Sequence, residues 1–229
     1  MNEPSEADAP ARRASYGSHS PRVGRRGGQT RQRLMDLALT ALAGDGYWGL
    51  SIDDLCRRAG VSRATFYQYF EGKASLFRAL SADTGADVLT LGRRLGPLGP
   101  HPDGVRNLHA WLRGFQEVYL RHAPVFELWS EAMYDSPQLR ATGEHFIERY
   151  TGALSARLVE AGAERAYASR LALAVLGTAE RISLVSARSA APDVDDAFAA
   201  LAAVVQVMLF PATPHAVLRE ALTPGPPTG

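Results

Sequence analysis

The sequence is poor in lysine and cysteine, since its 229 residues include one of each, Lys73 and Cys56. A single cysteine excludes a disulfide within one chain and any metal cluster held by several thiolates. The sequence also lacks an apolar run long enough to span a bilayer, and its acidic, polar first residues do not resemble a signal peptide. We therefore expect a cytoplasmic protein without disulfides.

Catalytic motifs are also missing. The sequence has no glycine-rich phosphate loop followed by lysine and serine, no nucleophile elbow and no His-Glu-x-x-His pattern. His145 and Glu148 lie three residues apart on one predicted helix face, but no second pair accompanies them, as a metal site built in a helical bundle would require. We expect no enzyme activity, no metal and no cofactor.

Positive charge is concentrated in the first third of the sequence. Residues 1–80 have 12 Lys/Arg and 8 Asp/Glu, whereas residues 81–229 have 13 and 16. Between Ala9 and Met35 there are seven arginines and no acid, in a stretch whose first part is too poor in apolar residues to fold alone. This arm could contact DNA phosphates or the minor groove, or it could be a solvated tail. The candidate DNA contacts in it are Arg25, Arg26 and Arg31.

Residues 51–70 are predicted to form two short helices joined by a tight turn. Ser51 is a suitable N-cap for the first helix, Gly60 a suitable end for it, and Ser62 a suitable cap for the second. Apolar residues recur at helical spacing in both segments and predict one buried face on each helix. These residues are Ile52, Leu55, Cys56, Ala59, Phe66 and Phe70.

The second of these helices has a polar outer face that suits the major groove of DNA. Its side chains offer guanidinium, hydroxyl, amide and phenol groups, and arginine can pair with guanine, glutamine with adenine, and a methyl group with thymine. This pattern is typical of a helix-turn-helix, although an ordinary helical hairpin has the same spacing. The outward residues are Arg63, Ala64, Thr65, Tyr67, Gln68 and Tyr69, of which Arg63, Ala64 and Gln68 are the predicted base readers.

The segment Ala-Gly-Val-Ser-Arg-Ala-Thr-Phe-Tyr-Gln-Tyr-Phe-Glu-Gly-Lys-Ala-Ser-Leu-Phe, residues 59–77, resembles the DNA-binding signature of the TetR/AcrR family of transcriptional repressors. The resemblance extends from about Arg31 to Leu80. It implies that Thr65 and Tyr67 contact the DNA backbone or neighbouring bases, that Lys73 contacts a phosphate, and that Ser51 and Ser62 cap helices beside the DNA. Tyr69 stands where the family often has histidine.

The remaining sequence predicts further helices, because apolar residues recur at helical spacing between Gly and Pro breakers. We expect an all-α protein of about nine helices, with a three-helix DNA-binding head and a helical bundle for ligand binding and dimerisation. The predicted units are a disordered basic arm at 1–28, the helix-turn-helix domain at 29–89, the bundle at 90–212 and a flexible tail at 213–229. The predicted helices are 30–44, 72–95, 103–122, one beginning at Pro124, one at Pro137, 164–188 and 193–210.

Aromatic residues in the bundle are candidates for a ligand pocket, although aromatic stripes at helical spacing are more often core. The pocket would take a small hydrophobic or amphipathic effector. The candidates are Trp111, Phe115, Tyr119, Phe126, Trp129, Met133, Tyr134, Phe146 and Tyr150, with His122, Glu127, Glu131, His145, Glu180 and Arg181 as polar anchors.

The last two long helices are apolar on several faces and rich in alanine, which favours close helix packing. They could form a four-helix interface in a homodimer, as the family resemblance implies, or fill the core of a monomer. We expect a ligand-responsive regulator, a repressor by resemblance, that binds a palindromic operator as a dimer. The alternatives are an activator and a helix-turn-helix protein that binds DNA constitutively.

Overall fold

A computed structural model describes residues 25–135, 137–188 and 193–222, and within these ranges the regular structure is helical. The all-α class and the number of helices predicted from the sequence are confirmed for this part of the chain. The helices are α1 (Arg25–Gly49), α2 (Ile52–Ala59), α3 (Arg63–Tyr69), α4 (Lys73–Arg94), α5 (Pro102–Asp135), α6 (Pro137–Glu160), α7 (Arg165–Arg188), α8 (Val194–Leu209) and α9 (His215–Leu222).

The helix α1 is longer than predicted at both ends. It begins at Arg25, inside the predicted arm, and continues past Gly44 to Gly49. Its regular geometry is interrupted at Gly46, where φ is 65° and ψ is −178°. Glycine adopts this positive φ without steric penalty, so the chain bends and continues to Leu50 in the head core. The rest of the predicted arm, residues 1–24, lies outside the described residues.

The head is formed by α1, α2, α3 and the first turns of α4, which share one apolar core. Side chains from all four helices are buried in it, with exposures of 3% or less. The predicted boundary after residue 89 falls inside α4, which continues without a break to Arg94. The helix α4 therefore belongs to both the head and the bundle. The central core residues are Leu34, Ala38, Leu55, Phe66, Leu76 and Phe77.

The two helices predicted on either side of residue 123 form one kinked helix, α5. His122 has φ −117° and ψ 17°, outside the helical region, and Pro124 follows within the same helical run. Proline removes one backbone hydrogen bond and disfavours helical geometry just before it, which bends a helix without ending it when packing supports both halves. The kink lies beside α4, where the carboxylate of Asp87 contacts His122.

The C-terminal end differs from the predicted flexible tail, because α9 occupies residues 215–222 and packs on α5. The connection before it is anchored by the buried side chain of Gln206, whose Nε2 donates to the carbonyl of Gly99 at 2.9 Å and to the hydroxyl of Thr213 at 3.3 Å. These bonds join α8, the loop before α5 and the start of α9. Among the described residues, no helix is both long and apolar enough to cross a membrane.

Candidate nucleic-acid interface and ligand cavities

The turn between α2 and α3 is defined at both ends by capping interactions. The hydroxyl of Ser51 accepts from the backbone N–H of Asp54 at 3.3 Å, at the start of α2. At its end, Gly60 adopts the left-handed conformation (φ 67°, ψ 37°), and the N–H of Val61 donates to the carbonyl of Cys56 at 3.0 Å. This is the geometry expected of a glycine at a helix C-terminus. The turn thus sets the angle between α2 and α3.

The helix α3 has one buried face and one exposed face. At its start, the Ser62 hydroxyl accepts from the N–H of Thr65 at 3.1 Å. Phe66 and Phe70 face the head core and are 0% and 3% exposed. Because these two aromatic residues fix the rotation of α3, the opposite face projects polar groups outward. The exposed side chains are Arg63, Ala64, Tyr67 and Gln68.

The guanidinium of Arg63 is held by two neighbours. Its Nη1 donates to both carboxylate oxygens of Asp53 on α2, and its Nη2 lies 3.4 Å from the Tyr67 hydroxyl. The hydrogen bond with Tyr67 and the negative charge of Asp53 raise the pKa of Arg63. Arg63 is therefore a fixed cation on the outer face of α3, as contact with guanine or phosphate requires.

Lys73 and Tyr69 lie on either side of the junction between α3 and α4. The ammonium of Lys73 donates to the carbonyl of Trp48 at 3.3 Å, which places a cation at the N-terminus of α4. Both the cation and the helix terminus attract phosphate. Tyr69 is half-buried, with its ring beside that of Phe70, so only part of it is accessible.

The described part of the arginine arm belongs to α1. Arg26 is exposed on its first turn, whereas the guanidinium carbon of Arg31 lies 5.5 Å from the centre of the Phe70 ring. This distance permits a cation–π contact. Arg31 thus packs against the base of α3 instead of extending freely. The backbone of Arg25 begins α1, and its side chain lies outside the description.

Six of the predicted ligand residues line one small cavity among α5, α6 and α7, with a volume of about 160 Å³. Besides Glu180, α7 contributes Leu173, Leu176 and Gly177, which were not among the predicted ligand residues because they carry no distinctive chemistry. Leu173 and Gly177 are also exposed, so the cavity lies beside the outer face of α7. The six predicted residues are Phe115, Phe126, Trp129, Phe146, Tyr150 and Glu180.

Other predicted ligand residues have different surroundings. Trp111 and Tyr119 are buried in the core and do not line this cavity. Burial and the nearby charges of Glu127 and Glu180 raise the pKa of Tyr119 to about 12, so its phenol is neutral. His122 is bonded to Asp87 on α4. The side chains of Glu131, Met133 and Tyr134 lie outside the description.

A larger cleft of about 640 Å³ lies between α4 and α6. His145, Phe146 and Tyr150 of the predicted set line it, but most of its wall comes from α4, none of whose residues was a predicted ligand contact. The sequence does contain a pattern that indicates this wall, because small residues on α4 share one face with flanking arginines at helical spacing. The α4 residues are Arg78, Ser81, Ala82, Gly85, Ala86, Leu89, Thr90 and Arg93.

The head therefore has the features of a helix-turn-helix protein, namely a capped first helix, a glycine turn and a second helix with an exposed polar face. Residues 34–80 match the family model described as "Bacterial regulatory proteins, tetR family". The DNA-binding head therefore matches the tetR family of bacterial regulatory proteins, as its sequence indicated.

Similar proteins agree with this assignment. The HTH-type transcriptional regulator SrpR of Pseudomonas putida is 37% identical over 54 residues, which is 24% of this chain and 25% of SrpR. The matches to curated relatives span 25–40% of those proteins' lengths.

Solved structures are similar over most of the chain. A tetR-family transcriptional regulator from Streptomyces coelicolor has a TM-score of 0.60 at 21% identity, over 88% of this chain and 92% of that one. Salmonella enterica GusR has a TM-score of 0.60 at 24% identity, over 81% and 95%. At these identities the similarity establishes the fold.

Proposed function

We propose that this chain is a ligand-responsive repressor of transcription that binds a palindromic DNA operator as a homodimer. The observation that carries the proposal is the division of α3 into two faces. Phe66 and Phe70 anchor the helix in the head, and four polar or small side chains on the other face are exposed. A helix presented in this way fits the major groove, where base edges are accessible.

The residues of the exposed face divide into base readers and phosphate contacts. Arg63 offers two donors to the acceptors of guanine, and Gln68 offers one acceptor and one donor to adenine. Ala64 offers a methyl group to thymine. The hydroxyl of Tyr67 and the ammonium of Lys73 suit phosphate oxygens, which fix the position of the protein without reading sequence. The hydroxyl groups of Ser62 and Thr65 lie 3.0 Å apart at the N-terminus of α3.

The exposed faces of α7 and α8 support the homodimer. The Tyr167 hydroxyl at the start of α7 lies 3.5 Å from the carbonyl of Met208 at the end of α8, so the two helices present neighbouring surfaces. Several apolar or small residues are exposed there, as a helix interface between two chains requires. A two-fold dimer would place two copies of α3 for half-sites about 34–36 Å apart. The exposed residues are Leu173, Ala174, Gly177, Thr178, Val204, Val207 and Met208.

The helix α4 connects ligand binding to the head, because its first turns pack in the head core and its middle lines the larger cleft. A hydrophobic or amphipathic effector acts by population shift. If it binds more tightly to the dimer state whose heads are wrongly spaced for DNA, operator affinity falls by the ratio of its affinities for the two states.

The test is fluorescence anisotropy of labelled DNA fragments flanking the chain's own gene, at several salt concentrations. Gln68→Ala is expected to weaken binding to the preferred fragment by about 1–3 kcal/mol of binding free energy and to reduce discrimination between fragments. Lys73→Gln is expected to weaken binding to all fragments and to lower the salt dependence by about one counterion. Arg106→Gln is the matched control, because Arg106 is exposed at the start of α5 and lies outside both the head and the proposed dimer surface.

A protein that binds every fragment alike, with no effect of Gln68→Ala, would contradict operator recognition. Selective binding that survives every tested apolar metabolite would favour the constitutive DNA-binding protein.

A further inference from the structure

The cleft between α4 and α6 has a cationic rim. Four of the side chains that line it are arginine or histidine, and none of the described lining residues is acidic. Two of the arginines have modest partners. Arg78 lies 3.8 Å from Glu71, and Arg93 donates to the Thr90 hydroxyl at 2.9 Å. The remaining two, His145 and Arg149, are both exposed on α6.

Below the rim, the cleft is apolar and its floor is fixed. The Phe146 ring lies over Gly85, where an added Cβ would be 2.9 Å from its Cε2. The Tyr150 hydroxyl donates to the carbonyl of Thr84 at 3.2 Å, so its polar atom is satisfied by α4. Burial raises the pKa of Tyr150, which keeps its phenol neutral. An apolar body of a ligand would meet Leu89, Phe146 and Tyr150.

Two of the three arginines lie in the same half of the cleft. The helices α4 and α6 run side by side, since Phe146 contacts Gly85, Ala153 lies beside Gly92, and the Arg157 guanidinium donates to the carbonyl of Leu95. This register places Arg149 level with Val88, five residues or about 7.5 Å before Arg93 along the cleft, a gap that two long arginine side chains can close. An anionic group there would meet two guanidiniums.

Size separates the two cavities. Small-molecule sites in proteins have volumes of roughly 300–1,000 Å³. The α4–α6 cleft, at about 640 Å³, is in this range, whereas the aromatic cavity of about 160 Å³ is below it. Phe146 and Tyr150 line both and form the partition between them.

We propose that the α4–α6 cleft binds a small amphiphile with one anionic head, held by Arg93 and Arg149, and an apolar body that lies along α4 over Phe146. The inference deepens the proposed function, on which it rests for the ligand's role as effector. The inference places the effector in the cleft beside α4, the helix that enters the head, and not in the smaller aromatic cavity. It also specifies an anionic amphiphile, where the proposed function named only a hydrophobic or amphipathic ligand.

The experiment is isothermal titration calorimetry of the full chain without DNA, with decanoate, decyl phosphate and the neutral 1-decanol as probes below their aggregation concentrations. At least one anionic probe is expected to bind about tenfold more tightly than 1-decanol, with the advantage falling as salt is raised. The variant Arg93→Gln with Arg149→Gln is expected to lose this advantage, about threefold for each exposed arginine. Arg106→Gln is the control, because Arg106 does not line the cleft.

A second variant tests the location. Ala82 is exposed on α4 and lines the cleft, so Ala82→Trp fills the cleft without entering the core. We expect it to abolish binding of the anionic probe while circular dichroism and thermal unfolding stay unchanged. Equal binding of anionic and neutral probes, an advantage retained by the double arginine variant, unaltered binding to Ala82→Trp, or binding of neither anionic probe would overturn the inference.

Failure of the two proposals can be separated, because the titration needs no DNA. Selective operator binding without amphiphile binding would support the proposed repressor and contradict the proposed class of effector. Amphiphile binding by a protein with no DNA preference would support the proposed ligand site and contradict the proposed repressor.

Discussion

The guanidinium of Arg63 donates to both carboxylate oxygens of Asp53, at 2.7 and 2.9 Å, and so joins α3 to α2 across the turn. The same guanidinium lies 5.9 Å from the centre of the Tyr67 ring. Without DNA, Arg63, one of the three predicted base readers, is therefore paired with an acid on the neighbouring helix and oriented by it. Asp53 limits attraction to phosphate and fixes the direction from which Arg63 reaches a base.

Asp53→Asn is expected to tighten binding to unrelated DNA by about two- to fivefold, because it removes a negative charge beside Arg63. Discrimination between operator and unrelated DNA is expected to fall, since Arg63 loses a fixed partner. Anisotropy titrations at one salt concentration measure both effects. Asp36→Asn removes the same charge from α1 and serves as the control. Equal weakening on all DNA would contradict this role for Asp53.

Gly85 and Gly92 on α4 provide a matched pair of glycine substitutions. Gly85→Ala is expected to lower the free energy of unfolding by about 1–3 kcal/mol, because the new Cβ meets the Phe146 ring and that ring is packed against Trp129 and Tyr150. Gly92→Ala places a Cβ 3.9 Å from Ala153, an ordinary contact, and is expected to stabilise α4 by roughly 0.5–1 kcal/mol. Urea unfolding at fixed protein concentration measures both, and stabilisation by Gly85→Ala would show that Phe146 does not constrain α4.

The contact of Asp87 with the kink of α5 predicts acid sensitivity. A hydrogen bond with His122, and then one from Arg121, hold the pKa of Asp87 below its ordinary value. A lowered pKa in the folded state contributes stability above about pH 4, the ordinary pKa of aspartate, and this contribution is lost as pH falls through the folded value. Because the Asp87 side chain is 40% exposed, we expect this contribution to the free energy of unfolding to be no more than about 1 kcal/mol.

The test of this contact is urea unfolding between pH 7 and pH 3. Asp87→Asn is expected to lose less stability than the wild type over this range. Asp83→Asn, on the same helix, is the control for general charge effects. Identical pH profiles for the wild type and Asp87→Asn would rule out the contribution.

Gly177 on α7 tests the proposed dimer interface. A Cβ at this position would have no heavy atom within 4 Å, so Gly177→Arg is compatible with the fold of one chain. At a helix interface between two chains, however, an arginine would separate the backbones and bury a charge. We expect a monomer by size exclusion with light scattering. Gly152 on α6 is equally open, so the variant Gly152→Arg is the control and should remain dimeric. If the Gly177→Arg variant were also dimeric, the interface would lie elsewhere.

The local structure of the head was determined by the sequence itself. The caps at Ser51 and Ser62, the left-handed Gly60 and the buried pair Phe66 and Phe70 follow from short-range rules, because each depends on residues within one or two helical turns. The helix boundaries in the bundle followed the Pro and Gly breakers for the same reason. The exceptions were the bends at Gly46 in the head and His122 in the bundle, where packing on both sides supported a helix that local preference would have ended, and α9, which lies in the predicted tail.

The tertiary structure alone decided which side chains meet across helices. Three contacts illustrate this: the ion pair between Arg63 and Asp53, the contact of Asp87 with His122 at the kink of α5, and the close approach of Phe146 to Gly85. In each, the two residues lie on different helices and are 10, 35 and 61 positions apart in sequence. Helical periodicity indicates which face of α4 is small and which residues of α6 are aromatic, but not that these faces oppose each other. Cavities form where packed helices leave space, and that space depends on crossing angles and register that no single segment encodes.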